Sequence, residues 1–249
     1  MSYNDSEHSL IPPPDLIQYV GGGFEEVGRE FFELFTRIGK LEPHEKVLDV
    51  GCGVGRMAVP LINYLNEHGS YYGFDIFKQG ITWCQNNISI SHDNFHFEHV
   101  DIYNQMYNPT GKEDASGYLF PYKDESFDFI FLTSVFTHLL PKELDHYLSE
   151  IVRVLKQDGR CFITFFLMNS ESSHYLNSGL STQGFYHQVE NCYVVNTAIP
   201  NAAVAYSEDE IQRLFNKYKL TMINKPYYGS WCGRPEFTSY QDIIVINKS

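Results

Sequence analysis

The feature that most limits what this chain can fold into is the stretch Lys46 to Arg56, Lys-Val-Leu-Asp-Val-Gly-Cys-Gly-Val-Gly-Arg. There a short apolar run breaks into a loop with glycine at every second position. Val47, Leu48 and Val50 read as a buried parallel strand, and Met57 to Asn66 reads as the helix that follows it. Glycine lets the backbone pass close to a ligand with no Cβ in the way, and a helix start offers unpaired N–H groups. A strand turning into a helix through glycines is therefore a nucleotide site.

Spacing narrows the choice of nucleotide. Gly51, Gly53 and Gly55 give G-x-G-x-G, whereas the dinucleotide fingerprint needs its third glycine one residue later. Asp49 at the strand end would repel a pyrophosphate but suits the ammonium group of an amino-acid-like ligand, so a nicotinamide oxidoreductase is disfavoured. Val47 to Gly55 resembles the first motif of the class I S-adenosylmethionine (SAM) dependent methyltransferases. That resemblance implies an α/β fold: a Rossmann-like, seven-stranded, mostly parallel sheet with an antiparallel last strand and helices on both faces. It implies SAM as cofactor, S-adenosylhomocysteine as its product, and no metal.

Tyr71-Tyr72-Gly73-Phe74-Asp75 follows as a second strand ending in a carboxylate, suited to accept hydrogen bonds from a ribose diol. By resemblance Asp75 is the ribose ligand, with Ile76 beside it. Phe95 to Val100 alternates like a strand and ends at Asp101-Ile102. In the resembling family an acid here receives the adenine amino group, and the next apolar residue lies against the ring. Phe127 to Leu132 reads as the central strand, and the residues after it, Thr133 to His138, fall where open parallel sheets place their catalytic groups. The candidate cofactor set is Asp49, Gly51, Cys52, Gly53, Asp75, Ile76, Asp101, Ile102, Thr133 and Ser134, joined by Tyr19 if the segment before the triple glycine folds over the cofactor as a cap.

Composition supplies the exclusions. At 249 residues the chain suits one large α/β domain over 1–249. Within it, 1–40 reads as an N-terminal cap and helix, 41–166 as the SAM-binding core, 167–206 as an insertion near the substrate site, and 207–249 as a C-terminal helix and β-hairpin. Formal charge is 18 minus 31, or −13, with no Lys/Arg run, which disfavours nucleic acid as a partner. Cys52, Cys84, Cys161, Cys192 and Cys232 show no metal-ligand spacing and read as reduced, mostly buried thiols. With no basic-then-apolar leader and no apolar run of bilayer length, the expectation is a soluble cytoplasmic protein with no membrane partner. Oligomeric state is not legible.

Met1 to Ser9 reads as polar and loose. The triple glycine Gly21 to Gly23 is either a hinge for a cap that brings Tyr19 near the methionine end, or a plain joint ahead of the helix Phe24 to Ile38. Gln79 to Ile90 reads as a helix, its Trp83 bordering the adenine or filling the core. The long connection from Tyr103 to Ser126 carries rings, Tyr107 among them, and reads as acceptor-site wall or as a surface excursion. Pro141 to Leu155 is amphipathic, and the turn Gln157 to Arg160 leads into a strand from Cys161. Tyr186, His187 and His174 in the insertion are candidate acceptor contacts. Ser207 caps a helix, and Tyr218 to Tyr227 with Tyr240 to Ile246 reads as a closing hairpin. Trp231 and Arg234 in its link either approach the substrate or close the hairpin.

Methyl transfer from a sulfonium needs alignment and exclusion of water, and a hydroxyl acceptor also benefits from a base. His138 is the candidate catalytic base, with a structural helix-start histidine as the other reading. The expected reaction is SAM-dependent methylation of a small molecule, foremost O-methylation of a hydroxyl on a sugar or natural product. N- or C-methylation of a metabolite and non-catalytic SAM binding remain the alternatives.

Overall fold

The computed structural model describes residues 10–248, so the expectation for Met1 to Ser9 lies outside the described residues. In chain order the elements begin with α1 (Pro14–Tyr19), α2 (Phe24–Arg37), β1 (Lys46–Val50), α3 (Ala58–Ile62), β2 (Ser70–Asp75) and α4 (Lys78–Cys84). There follow β3 (Phe95–His99), β4 (Phe127–Leu132), α5 (Pro141–Val154), β5 (Leu155–Phe165), β6 (Leu167–Met168), α6 (Ser170–Asn177) and β7 (His187–Val189). The chain closes through β8 (Cys192–Val194), β9 (Val204–Ser207), α7 (Glu208–Lys217), β10 (Leu220–Met222) and β11 (Asp242–Lys248).

Seven strands form one sheet in the order β10-β11-β5-β4-β1-β2-β3. The β1–β2, β2–β3, β1–β4 and β4–β5 pairs are parallel, and β11 runs antiparallel between β5 and β10. The antiparallel last strand and the closing hairpin are thus as expected. Because β4 lies inside a parallel sheet it is apolar on both faces. Phe129 and Phe131 meet Phe35 and Phe31 of α2 on one side, while Ile130 and Leu132 meet Leu144, Leu148 and Ile151 of α5 on the other. The Phe35 ring lies 4.3 Å from that of Phe131. Burying side chains of this size stabilises the fold by about 1.5–3 kcal/mol apiece.

The first strand of the closing hairpin, expected over Tyr218 to Tyr227, covers only Leu220–Met222, and two other boundaries differ from expectation for local reasons. The helix after the glycine loop covers only Ala58–Ile62, because the Asn66 side chain accepts the N–H groups of His68 and Gly69 and closes a turn instead. The turn at Gln157 is absorbed into β5 as a bulge: Phe127 pairs with Leu155, but Phe129 pairs with Arg160.

The segment after β5 builds a second sheet, in the order β6-β9-β8-β7. Only its Cys192 to Val195 stretch reads as a strand in the sequence. Its core holds Phe166, Met168, Phe185 and Trp231, and a single helical turn, Pro200–Ala202, reaches back toward the end of β4. Among the described residues no helix is long and apolar enough to cross a membrane. All five cysteines are free and buried.

Candidate active site

A cavity of about 530 Å³ opens at the C-terminal ends of β1, β2 and β4, where parallel sheets leave a crevice. Its floor is the glycine loop. Gly51 has φ +83° and a Cβ there would collide with the Val135 side chain, while Gly53 has φ +57° and a Cβ would lie 2.8 Å from Val20 Cγ1. Both positions therefore need glycine for backbone conformation and for close approach. The Gly51 and Cys52 N–H groups donate to the Phe74 carbonyl at 2.9 and 3.1 Å, which locks the loop to β2.

Asp49 carries the most unusual environment in the wall. It is 1% exposed; Oδ2 accepts the Tyr71 hydroxyl at 2.6 Å, and Oδ1 has no partner among the described residues. Burial pushes its carboxyl up to about 8, eased by the Tyr71 hydrogen bond and raised further by Asp75. An unpaired buried carboxylate oxygen is costly, and an ammonium group would satisfy it. Arg56 also lines the cavity, but its Nη1 donates to the Gly22 carbonyl at 2.9 Å, so the guanidinium ties the triple glycine down.

Asp75 accepts the Gly53 N–H at Oδ2 and the Phe77 N–H at Oδ1, each at 2.7 Å. It is thus already a keystone of the loop, and its second lone pairs are what a diol could use. Burial raises its pKa against the lowering effect of those N–H donors.

The segment α1 covers one side of the cavity. The Tyr19 ring stacks on Phe77 at 3.6 Å and 10°, and its hydroxyl donates to the Tyr107 carbonyl at 2.9 Å. The Asn104 side chain accepts the N–H groups of Met106 and Tyr107, at 3.0 Å each, which shapes the loop presenting Tyr107. The long connection divides in two. Tyr103, Met106 and Tyr107 line the cavity, whereas Phe120 and Tyr122 pack into the core against Phe74.

At the far end His138 Nδ1 lies 2.8 Å from the Asn201 carbonyl, and that acceptor requires Nδ1 to carry the proton. Nε2 is then a lone pair facing the cavity, 3.4 Å from the Tyr107 hydroxyl. Burial pulls the His138 pKa below its ordinary 6.5, which keeps the ring neutral. Ser134 holds φ +60°, its N–H donating to Thr164 Oγ1 at 2.8 Å and its hydroxyl to Gln241 Oε1 at 3.1 Å. Strained backbone braced in this way is typical of sites that must present groups at fixed angles.

The cavity wall brings together Tyr19, Asp49, Gly51, Cys52, Gly53, Asp75, Ile76, Ile102, Tyr107, Thr133, Ser134 and His138. Asp101 lies on an adjoining cleft shared with Tyr19, Ile76 and Tyr107; its carboxylate is 3.9 Å from Lys112 Nζ and accepts from Asn108 at 3.3 Å.

Other expected contacts lie elsewhere. Trp231 is fully buried in the second sheet's core, its Nε1–H donating to Asp242 at 2.7 Å, so it closes the hairpin link and does not line the cavity. Arg234 is likewise buried, paired with Glu171 and Asp242. Tyr186, 65% exposed, and His187 on β7 point to the outside of the second sheet, as does His174 on α6. Trp83 packs against the core formed with α3 rather than lining the cavity.

Sequence reasoning passed over Asn201, Glu143 and Tyr147. Glu143 and Tyr147 line the cavity from the first turns of α5, and Asn201 braces His138. Spacing offered a signal for the first two, since residues four apart share a helix face. Asn201 is joined to His138 across 63 positions by folding alone.

Comparison with known proteins agrees with this geometry. The methyltransferase domain family matches residues 48–163. The tRNA N(3)-cytidine methyltransferase METTL2 of Gallus gallus is 28% identical over 116 residues, 46% of this chain. The chain covers 28% of that relative's length. The crystal structure of the PH0226 protein from Pyrococcus horikoshii OT3 is 19% identical with a TM-score of 0.60, over 90% of this chain and 92% of that one. Burkholderia thailandensis 1,6-didemethyltoxoflavin-N1-methyltransferase, solved with 1,6-didemethyltoxoflavin and S-adenosylhomocysteine, is 16% identical with a TM-score of 0.56. That match covers 93% of this chain and 81% of that one. Glycine loop, strand order and the family match over residues 48–163 agree: this part of the chain is similar to a methyltransferase domain, and the whole has the fold of the solved proteins it resembles.

Proposed function

We propose that the chain transfers the methyl group of SAM to a small-molecule acceptor, foremost to a hydroxyl of a sugar or natural product. The observation that carries this reading is the unpartnered Oδ1 of Asp49, buried in the cavity wall beside the glycine loop. It is the seat a methionine ammonium group needs and a pyrophosphate does not. SAM, when bound, supplies an electrophilic methyl on a sulfonium.

In this reading Asp49 takes the ammonium group, Asp75 takes the ribose diol, and Ile76 and Ile102 offer apolar surface to the base, with Asp101 at its edge. Tyr19 and the rest of α1 shut water out of the reaction space. Thr133 and Ser134 lie beyond the end of β4 and border the space between donor and acceptor. His138 Nε2 receives the proton of the acceptor hydroxyl as the methyl bond forms; the Asn201 carbonyl stabilises the resulting imidazolium through Nδ1–H.

The METTL2 relative is a tRNA methyltransferase by name, but the match covers only 116 residues and 28% of that protein's length, and a charge of −13 opposes a polyanionic substrate. A small acceptor enclosed by Tyr107, Tyr147 and Tyr103 is the better fit. Titration calorimetry tests the reading: S-adenosylhomocysteine should give a saturable heat and NAD none. Labelled methyl transfer across a panel of hydroxylated acceptors then separates catalysis from mere binding. Heat with NAD and none with S-adenosylhomocysteine would end the proposal.

A further inference from the structure

Glu143 is the one carboxylate in the cavity wall that the proposed cofactor contacts leave unused. It stands in the first turn of α5, where Oε2 accepts the Leu140 N–H at 2.6 Å and the Asn201 side-chain N–H at 3.4 Å. Among the described residues Oε1 takes no hydrogen bond, and no Lys or Arg pairs with the group. Burial pushes its carboxyl above the usual range, and the neighbouring Asp114 charge adds in the same direction. Tyr147, one turn on, lines the same end of the cavity, its ring backed edge-on by Phe120 at 5.1 Å. Tyr107 lines the cavity as well, beside His138. A carboxylate with an unengaged oxygen, sharing its cavity wall with two tyrosines and lacking a cation of its own chain among the described residues, is completed by a cation of the ligand. The capping role at Leu140 accounts for Oε2 alone.

We infer that the acceptor carries a protonated amine besides its reacting group, and that Glu143 holds this amine between Tyr107 and Tyr147. This rests on the methyl-transfer reading of the cavity and adds the acceptor's charge to it. The chain's net charge of −13 draws such a ligand in at long range.

The test uses paired probes differing in the amine, tyramine against p-ethylphenol and glucosamine against glucose, titrated into protein saturated with S-adenosylhomocysteine. In at least one pair the amine binds about tenfold more tightly or better, as a charge-assisted hydrogen bond implies. Glu143→Gln erases that preference. Glutamine serves equally well in the cap, so the variant keeps its fold, which its melting curve checks. Equal affinities within both pairs, absence of binding included, overturn the inference, as does a preference that survives in Glu143→Gln. The prior titration with S-adenosylhomocysteine keeps the two claims apart: its failure sinks the methyltransferase reading, whereas its success without amine preference sinks this inference alone.

Discussion

Asp49 leaves one carboxylate oxygen without a partner among the described residues, while His138 is held at Nδ1 by Asn201 and meets the Tyr107 hydroxyl at Nε2. The Asp49 carboxyl titrates near 8 in the folded chain against 3.8 ordinarily, so folding favours its protonated form. Its contribution to stability is complete below about pH 4 and is lost as pH rises through 8. Asp49→Asn removes that titration while keeping an acceptor for the Tyr71 hydroxyl. The variant should melt above the native protein at pH 8, the gap closing towards pH 5, and should lose about tenfold or more in S-adenosylhomocysteine affinity. Scanning calorimetry at the two pH values and one binding titration check both halves. For His138 the depressed pKa puts the acid limb of kcat below pH 6.5. His138→Gln should lower kcat about a hundredfold or more and flatten that limb. An unchanged pH–rate profile would leave the residue a purely structural bridge to Asn201.

At the scale of elements, the glycine loop and α1 act as one unit. Gly53 sits under Val20, and Arg56 reaches up to the Gly22 carbonyl, so the cap is fastened from below at two points. Adding a Cβ at Gly53 pushes against Val20 and strains a left-handed backbone position at a cost of about 1–3 kcal/mol. Gly53→Ala should speed amide exchange over residues 14–23 and weaken cofactor retention, and a second change, Val20→Ala, should recover the exchange protection in part. Unaltered exchange in the single variant would show that α1 does not rest on the loop.

Across the whole molecule, Asp242 joins the two sheets. Fully buried at the start of β11, it accepts the N–H groups of Leu167 and Gly229 and the Trp231 indole, each at 2.7 Å. These donors come from the start of β6 and from the link that closes the second core. Asp242→Ala would strand three donors in an apolar setting and remove one of the two carboxylates paired with Arg234, 3.5 Å away, leaving Glu171 as the other. The expected loss is at least about 3 kcal/mol in urea denaturation. Because the second sheet carries Asn201, the same variant should also loosen His138, visible as a broadened imidazole resonance.

Strand periodicity and turn chemistry are local, so the individual strands, the closing hairpin and the helices over β4 could be read from residues near one another in the chain, while the seven-stranded order came from the resemblance carried by the glycine loop. The glycine loop with Asp49 and Asp75 was legible for the same reason, being a contact network made within 26 positions of one sequence and its neighbouring strand. Asn201, Glu143 and the burial of Trp231 had no such local signature. A tryptophan has the same hydrophobicity whether it lines a pocket or fills a core, and which it does depends on Asp242 arriving beneath it. The sequence by itself determined the glycine-loop end of the cavity, where the proposed cofactor contacts Asp49 and Asp75 are each placed by their own strand. The end around His138, the proposed acceptor side, was decided by the tertiary structure, because its polar groups meet only when a second sheet, built far along the chain, folds back over the end of β4.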